Sequence, residues 1–336
     1  MPRSARLDKP GILQHVIIRG IERRRIFRDD ADREDMLDRL ADLLPETNTA
    51  CYAWAFLDNH AHFLFRSGPR GIAALMRRLL TGYVVGFNHR HRRSGQLFQN
   101  RYKSIVCQED AYLKQLVAYV HLNPLRARLV GDMAALADYP YCGHGVLLGA
   151  WSVAWQDMGY VLRQFGPEIG AARRRYLEYV TKTAEMGKQP ELVGGTVRRH
   201  IGGWEKVKAR KGNGIERRMV DSRILGKTEF VESVLCEARQ RLNRRYTLQR
   251  QGWNFERVLD RAAAIFDVAS EQVLSRSRKR VRSEARSLAC YWAVRELGLS
   301  TAELARRFEM TTAAVNYAVD RGERIAAERG LVLDGD

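Results

Sequence analysis

The sequence lacks the features that mark several protein classes. Its five cysteines are widely spaced and form no C-x-x-C pair, which argues against a disulfide framework and against a thiolate zinc site. No apolar segment follows the basic N-terminus, and the longest uncharged run, residues 139–156, contains Pro, Gly, His and Gln. We therefore expect no signal peptide, no membrane-spanning helix and no membrane partner. The pattern favours a reducing cytoplasm.

Acidic residues are few compared with basic ones. The chain has 57 Lys and Arg against 39 Asp and Glu, a formal net charge of +18. The excess is spread along the whole chain and is not confined to a tail. Such a balance favours a polyanionic partner, above all nucleic acid, and hence a location at the nucleoid.

The length and the pattern of elements predict three segments. At about 150 residues per domain, 336 residues suggest two or three domains. We expect one domain over residues 1–130 and another over residues 241–336. Residues 131–240 mix helical stretches with Gly- and Lys-rich breaks, and we assign them no chemistry.

The first segment predicts an α+β fold. Strands are expected over residues 11–19, 50–57, 60–66 and 101–107, with the middle pair joined by an Asp58-Asn59 turn. Amphipathic helices are expected after Asp29 or Asp30, from Ile72, and over residues 109–121. The order β-α-β-β-α-β followed by a helix is typical of a ferredoxin-like antiparallel sheet with helices on one face.

The last segment reads as helical from about Phe255 to its end. Ser300 and Glu303 have the spacing of a capping box, residues 309–310 form a tight break, and Thr311 or Thr312 can open a second helix. This arrangement is typical of a helix-turn-helix. The mostly α-helical region therefore predicts a helix-turn-helix domain at its end.

Two histidines and a helix could carry chemistry. His60 and His62 alternate on a strand, so both imidazoles leave the same face and could bind a divalent cation, although H-x-H alone is weak evidence. Tyr119 and Asn123 are four residues apart on one helical face, and the Asn123 side chain, just before Pro124, is expected to be free to turn to a ligand. An amide oxygen would complete a site for Mg²⁺ or Mn²⁺. The phenol could then attack a phosphodiester.

These residues also carry a family resemblance. The strings LDNHAHFL (57–64) and YVHLNPLR (119–126) resemble the two signatures of single-tyrosine HUH transposases, and with Arg19-Gly20 and LFQNRYK (97–103) they resemble the REP-associated tyrosine transposase branch. The resemblance covers about residues 8–130. It implies the HUH nuclease fold, His60, His62 and Asn123 as metal ligands, and Tyr119 as the nucleophile.

Other residues are alternative candidates for these roles or expected DNA contacts. Tyr112 lies on the face of Tyr119 and is the second candidate nucleophile, and His121 is interpreted as structural. His89 and His91 stand among arginines that would repel a cation, so we expect them near phosphates. The expected DNA contacts of the N-terminal segment are Arg19, Arg90, Arg92, Arg93, Arg101 and Lys103, with Tyr102 suited to stack on a base.

The last segment resembles a second family. SRSRKR (275–280), EAR (284–286) and the helix-turn-helix up to Val315 resemble the duplex-binding domain of the bacterial replication initiator DnaA over about residues 254–325. The family's Asp-His-Thr-Thr is replaced by TTAA (311–314), so the initiator's own sequence preference is not carried over. The resemblance implies duplex contacts through Arg278, Lys279, Arg280, Arg286, Thr311 and Thr312.

The preferred hypothesis is a metal-dependent DNA strand transferase. It would cleave and rejoin single-stranded, hairpin-bearing REP-like DNA through a 5′-phosphotyrosine, and no clear general base for the phenol is visible. One alternative is a non-catalytic DNA-binding regulator that uses the helix-turn-helix. The other is a metal-dependent nuclease that uses water. The oligomeric state stays open.

Overall fold

The computed structural model describes residues 7–187, 192, 221, 223–275 and 279–334. Two compact units are present, Met1–Val234 and Leu235–Asp336. All five cysteines are free. Within the described ranges, no helix has both the length and the apolar character needed to cross a membrane.

The N-terminal unit is built on a five-stranded sheet. The strands are β1 (Leu13–Arg19), β2 (Ala50–Leu57), β3 (His60–Arg66), β4 (Lys103–Cys107) and β5 (Ile224–Leu225). Their order is β2-β3-β1-β4-β5, with β5 parallel to β4 and every other pair antiparallel. The predicted α+β class is confirmed, but the sheet is mixed rather than purely antiparallel.

Eight helices surround this sheet in the described part of residues 7–187. They are α1 (Asp30–Glu46), α2 (Ile72–Arg90), α3 (Glu109–His121), α4 (Asn123–Arg126), α5 (Met133–Ala137), α6 (Gly143–Leu148), α7 (Met158–Arg163) and α8 (Ile169–Glu185). Asp29 caps α1 by accepting a hydrogen bond from the Asp32 N–H, as residues of this type do at helix starts. Pro45 lies inside the last turn of α1 and not beyond it.

Helices cover both faces of the sheet, which differs from the expected one-sided arrangement. One core lies between the sheet and α1 and α2, and includes Val16 and Phe63. A second core lies on the opposite face with α3 and later helices, and includes Leu13 and Leu64. Because both faces are buried, β1 and β3 need apolar residues at nearly every position, which explains their weak alternation in the sequence.

The segment after residue 130 belongs to the same unit as the sheet. Residues from α5 to α8 join the second core, Tyr176 and Leu147 among them, and β5 extends the sheet beside β4. The expected boundary at residue 130 therefore does not coincide with a boundary between compact units. A two-residue strand gives no periodic signal in a sequence, so β5 could not be recognised there.

The C-terminal unit is helical. Helix α9 (Thr228–Arg250) crosses the boundary, and α10 (Phe255–Ile265), α11 (Ser270–Leu274), α12 (Arg280–Arg295), α13 (Thr301–Arg307) and α14 (Thr312–Arg329) follow. Their apolar faces share one core that includes Trp292 and Phe308. The side chains of Ser300 and Thr311 accept hydrogen bonds from the N–H groups of Glu303 and Ala314 and so cap α13 and α14.

Gly322 of α14 packs directly against the backbone of α12. A Cβ atom at this position would overlap the backbone carbonyl oxygen of Ser287. We expect Gly322→Ala to cost about 3 kcal/mol through forced separation of the helices, offset by about 1 kcal/mol of better helix propensity. Urea unfolding should therefore show a net loss of about 2 kcal/mol, whereas Glu328→Ala on the exposed face of α14 should change stability by less than ~0.5 kcal/mol. Equal stability of the two variants would contradict this account.

Candidate active site

Strand pairing brings three histidines to the second face of the sheet. His60 and His62 lie on β3, opposite Arg19 and Ile17 of β1. His15 lies two positions before Ile17 on β1 and is fully buried. Side chains two apart on a strand share a face, so all three imidazoles lie on the side of the sheet that α3 covers.

Tyr119 of α3 packs against these rings. Its ring centroid lies 5.9 Å from that of His62 and 5.6 Å from that of His15, with an edge-on geometry in both cases. The centroids of His60 and His62 are 5.1 Å apart. The structure thus places a phenol next to a histidine pair whose members are 57 and 59 residues away in the sequence.

Both sequence-predicted histidines use Nδ1 for a hydrogen bond inside the protein. The Nδ1 atom of His60 lies 2.6 Å from Oδ1 of Asn59, and the Nδ1 atom of His62 lies 2.9 Å from Nε2 of His15. Asn59 is itself held, because its Nδ2 donates to the carbonyl of Arg23 at 3.1 Å. The partners of Nδ1 are therefore defined for each ring.

The histidines are held in their neutral form. Burial lowers the pKa of His60 to about 4, and the charge of Arg19 adds to this effect. Burial, followed by the neighbouring His15 and His60, lowers the pKa of His62 well below its usual value. Since only neutral imidazole offers a lone pair to a metal, this environment suits metal binding at neutral pH.

The nucleophile candidate is buried, and cations act on it. Tyr119 is 9% exposed. Burial raises the pKa of its phenol, while the charges of Arg126 and Arg19 lower it. The guanidinium of Arg126 lies 5.4 Å from the Tyr119 ring centroid. These cations would stabilise a phenolate more than a phenol.

Asn123 lies where the sequence predicts, but its side chain is not free. Its Nδ2 donates to the carbonyls of Tyr119 and Val120 at 2.8 and 3.2 Å, and the residue is 9% exposed. The chain also continues helically as α4 from Asn123 itself, although the α conformation is disfavoured before Pro124. The amide nitrogen thus binds the end of α3, which leaves the amide oxygen as the atom that could bind a ligand.

Two predicted DNA contacts lie beside the histidines. Arg19 ends β1 and is exposed, and Lys103 begins β4. Burial, and then the charge of Arg19, lowers the pKa of Lys103. The expectation for Tyr102 was wrong, because this ring is 7% exposed and belongs to the core under α1 and α2, where no base could stack on it.

The arginine-rich loop differs from the expectation at several positions. Arg90 is paired with Asp32 and Asp35 at 3.0 and 2.9 Å, and the Nε2 atom of His91 lies 2.8 Å from Asp32. Both side chains therefore hold α1 against the end of α2, and Arg90 is exposed as well as paired. Arg92, with a φ of 47°, and Arg101 are exposed.

Arg93 is fixed by its neighbours in the same loop. Its guanidinium donates to Oδ1 of Asn88 and to the carbonyl of Gln96, and it also lies over the Phe87 ring. Because these contacts order the loop, we interpret Arg93 as a structural residue with a partly exposed charge.

A second cluster of possible metal ligands lies away from the histidine pair. Atoms of Asp29, Asp32 and His91 lie within 4.8 Å of one another. The buried carboxylate of Asp32, however, already accepts from the Arg28 N–H, Arg90 and His91. With these partners the cluster is a structural ion-pair network, and we give it no metal.

The predicted C-terminal contacts divide into exposed and buried residues. Lys279 and Arg280 are exposed, and Arg280 pairs with Glu284 at 2.8 Å. Thr311 and Thr312 are exposed at the start of α14. Arg278 lies outside the described residues.

The expectation for Arg286 is not met. This residue is 8% exposed, and its guanidinium donates to the carbonyls of Val273 and Ser275. Burial lowers its pKa. It therefore fastens the end of α11 to α12 and cannot reach a duplex.

Sequence reasoning missed three residues at this site: His15, Asn59 and Arg126. A histidine inside an otherwise apolar central strand could have drawn attention to His15, since buried polar groups require partners. Asn59 belongs to the predicted turn and to the first signature, and Arg126 belongs to the second signature, but the sequence gives neither residue a role of its own.

The chain is similar to a solved structure and to a protein-family model. A solved structure described as a REP-associated tyrosine transposase bound to a REP hairpin is similar over 47% of this chain and 94% of that chain, at 15% identity and a TM-score of 0.37. No curated protein matches the chain. Residues 9–123, which contain His60, His62, Tyr119 and Asn123, match the family model of IS200-like transposases. The N-terminal part of the chain is therefore similar to the IS200-like transposase domain, and transposase function is the function that this similarity supports.

Proposed function

We propose that the chain is a metal-dependent DNA strand transferase of the single-tyrosine HUH type, acting on single-stranded, hairpin-bearing DNA. The observation that carries the proposal is the packing of Tyr119 against His62, next to His60 and beneath Arg126. The match of residues 9–123 to IS200-like transposases supports it. A phenol, two neutral imidazoles and several cations are the groups that transesterification of a phosphodiester requires.

The donor set proposed for Mg²⁺ or Mn²⁺ consists of two imidazoles and one amide. His60 and His62 are neutral and use only Nδ1 inside the protein, so both Nε2 atoms could bind an ion, together with Oδ1 of Asn123. Three neutral N and O donors would leave coordination positions for phosphate oxygens. When bound, the ion would act as a Lewis acid on the phosphodiester.

The chain's own residues would perform the remaining steps. Arg19 and Lys103 would hold the phosphate beside the histidines. The Tyr119 oxygen would attack phosphorus, forming a P–O bond while the bond to the 3′ oxygen breaks. The phenol loses its proton and the leaving oxygen gains one, so the products are a 5′-phosphotyrosine and a free 3′-OH. Attack by another 3′-OH would reverse these bonds and rejoin the DNA without a nucleotide triphosphate.

The proposal is tested by trapping the protein–DNA adduct. The full chain is incubated with Mn²⁺ and a pool of short single strands, some of which form hairpins, and the products are separated on a denaturing gel. We expect a covalent adduct whose DNA, once sequenced, shares a site and whose modified peptide contains Tyr119. Cleaved DNA without an adduct would support the nuclease that uses water. Binding without cleavage would support the regulator.

We also propose that the C-terminal unit binds duplex DNA as a helix-turn-helix domain. Helices α13 and α14 are separated by four residues, and Thr311 caps α14 with Thr312 exposed beside it. The N-terminus of an eighteen-residue helix presents N–H groups and a positive dipole to phosphates. Lys279 and Arg280 supply exposed charge, whereas Arg286 is excluded from this role.

A negative charge at the start of α14 should weaken duplex binding without destabilising the fold. We expect Thr312→Asp to weaken duplex binding about 10-fold, because the carboxylate repels phosphates, and to preserve the melting temperature, because an anion at a helix N-terminus is favourable. Fluorescence anisotropy with a labelled duplex measures the effect. Ala327→Glu adds the same charge near the other end of α14 and should leave affinity within about twofold. If both variants lost affinity equally, the contact would not be at the helix start.

A further inference from the structure

The histidines of the candidate metal site each have a hydrogen-bond partner that could select their tautomer. A neutral imidazole carries its proton on one nitrogen and offers its lone pair from the other. Whichever atom binds Nδ1 therefore decides whether Nε2 is available to a metal. Ligating histidines usually donate their second N–H to a protein acceptor in this way.

For His60 the geometry leaves one choice. Nδ2 of Asn59 donates to the Arg23 carbonyl, so the atom of Asn59 that faces His60 is Oδ1, which only accepts. The 2.6 Å contact therefore requires the proton of His60 to be on Nδ1. Its Nε2 carries the lone pair.

For His62 the partner is a second imidazole. Nδ1 of His62 and Nε2 of His15 are 2.9 Å apart, both rings are almost completely buried, and they stack at a centroid distance of 5.2 Å. One of the two nitrogens must donate. Only a proton on Nδ1 of His62 leaves its Nε2 with the lone pair that a metal needs. The proposed function therefore requires Nε2 of His15 to be the acceptor.

We propose that His15 and Asn59 are positioning residues that hold His62 and His60 as Nδ1–H tautomers, with both Nε2 atoms ready for a divalent cation. The proposal rests on the proposed function, because it concerns the same metal site. His15 comes from the neighbouring strand, and Asn59 comes from the turn that joins β2 to β3. The neighbouring strand β1 and the turn between β2 and β3 thus orient the two histidines before any metal binds.

The direct test is the tautomer of each ring in the metal-free protein. Long-range ¹H–¹⁵N NMR of the full chain, with the signals assigned by single substitutions, distinguishes Nδ1–H from Nε2–H imidazole. We expect both His60 and His62 to be Nδ1–H. In His15→Leu, His62 should shift towards the Nε2–H form that unconstrained histidine prefers, and in His15→Gln the amide oxygen should restore Nδ1–H. An Nε2–H form of His62 in the wild type would overturn the assignment to His15.

The second readout is metal affinity. Titration with Mn²⁺, followed by the electron paramagnetic resonance of the free ion, should show that His15→Leu and Asn59→Ala each weaken binding about 10- to 100-fold. The variants His15→Gln and Asn59→Asp, which keep an acceptor, should stay within about threefold of the wild type. His144→Leu is the matched control, since it also replaces a buried histidine but contacts Tyr176 and not the site.

The outcomes distinguish this inference from the proposed function. If the wild type forms the DNA adduct and the Leu and Ala variants bind Mn²⁺ normally, the positioning role is wrong and the strand transferase stands. If the wild type binds no Mn²⁺ and forms no adduct, the proposed function fails, while the NMR experiment still decides the tautomers. If His15→Leu does not fold, the NMR spectrum of the wild type and the Mn²⁺ affinity of Asn59→Ala still test the inference.

Discussion

Replacing Tyr119 by phenylalanine is expected to abolish the covalent protein–DNA adduct. The variant loses one oxygen atom and keeps the ring that packs against His15 and His62. The fold and the binding of single-stranded DNA should therefore persist, because the DNA contacts proposed for Arg19 and Lys103 are intact. With no nucleophilic oxygen, adduct formation should fall at least ~1000-fold, to the background of the assay, as expected when a covalent step is removed.

Tyr112 provides the matched control for this substitution. It lies on the same helix and packs, partly buried, against the same core. We expect Tyr112→Phe to form adduct at the wild-type rate, as measured on denaturing gels with the single strand selected from the pool. Loss of the adduct in Tyr112→Phe and its retention in Tyr119→Phe would exchange the roles of the two tyrosines. Retention in both variants would rule out a tyrosine nucleophile on α3.

Acidification from pH 7 to pH 5 is expected to destabilise the N-terminal unit strongly. Burial lowers the pKa of His15 and of His144 to about 4 and shifts the pKa values of His62 and His121 well below the usual one. The unfolded chain, with histidine pKa values near 6.5, then binds more protons than the folded one between about pH 6.5 and 4. The contribution of these histidines to the free energy of unfolding is therefore fully present above this window, and it is lost as the pH decreases through it.

The expected loss is large compared with the stability of a domain. A histidine whose pKa changes from about 6.5 to about 4 on folding loses about 2 kcal/mol of stabilisation at pH 5. His15 and His144 are two such groups, and the pKa values of His62 and His121 shift in the same direction. Together these histidines would remove a large part of the ~5–15 kcal/mol that keeps a domain folded. Two of these histidines, His121 and His144, lie in one buried cluster with Tyr176. The Nδ1 atom of each ring forms a hydrogen bond with the Tyr176 hydroxyl, at 2.7 and 2.6 Å.

The C-terminal unit is an internal control for this experiment, because residues 235–336 contain no histidine. Urea unfolding of the metal-free full chain, followed by hydrogen exchange and mass spectrometry to resolve the units, should show the change only in the N-terminal unit. His144→Gln should reduce the number of protons that the chain takes up on unfolding by about one. His89→Gln, at an exposed position, should not change it. A stability that is flat from pH 7 to pH 5 would mean that these histidines are not held neutral in the fold.

Much of the N-terminal fold could be predicted because its local signals are strong. The two strands around Asp58-Asn59 have the bounds that the aromatic runs predict, and α3 has the bounds expected between Glu109 and His121. Each of these elements is determined by residues within it. The short helices α4 to α6 and strand β5 were not predicted, because they depend on burial against the sheet.

The roles of the basic residues could not be predicted from charge alone. Arg90 lies 58 positions from Asp32, and Arg286 lies 13 positions from the carbonyl of Val273. A sequence shows that such a side chain is charged, but not whether a carboxylate or carbonyl meets it. The exposed positions, Arg19 among them, remain the basis of the proposed DNA contacts.

The sequence by itself determined which residue types stand at the candidate site and on which faces of a strand and a helix they lie, since spacing fixes these faces. It also determined the basic character that favours nucleic acid. Only the tertiary structure decided which imidazole nitrogen forms a hydrogen bond inside the protein, because that depends on partners such as His15, 47 positions from His62. Strand pairing brings these groups together, and no local pattern records it.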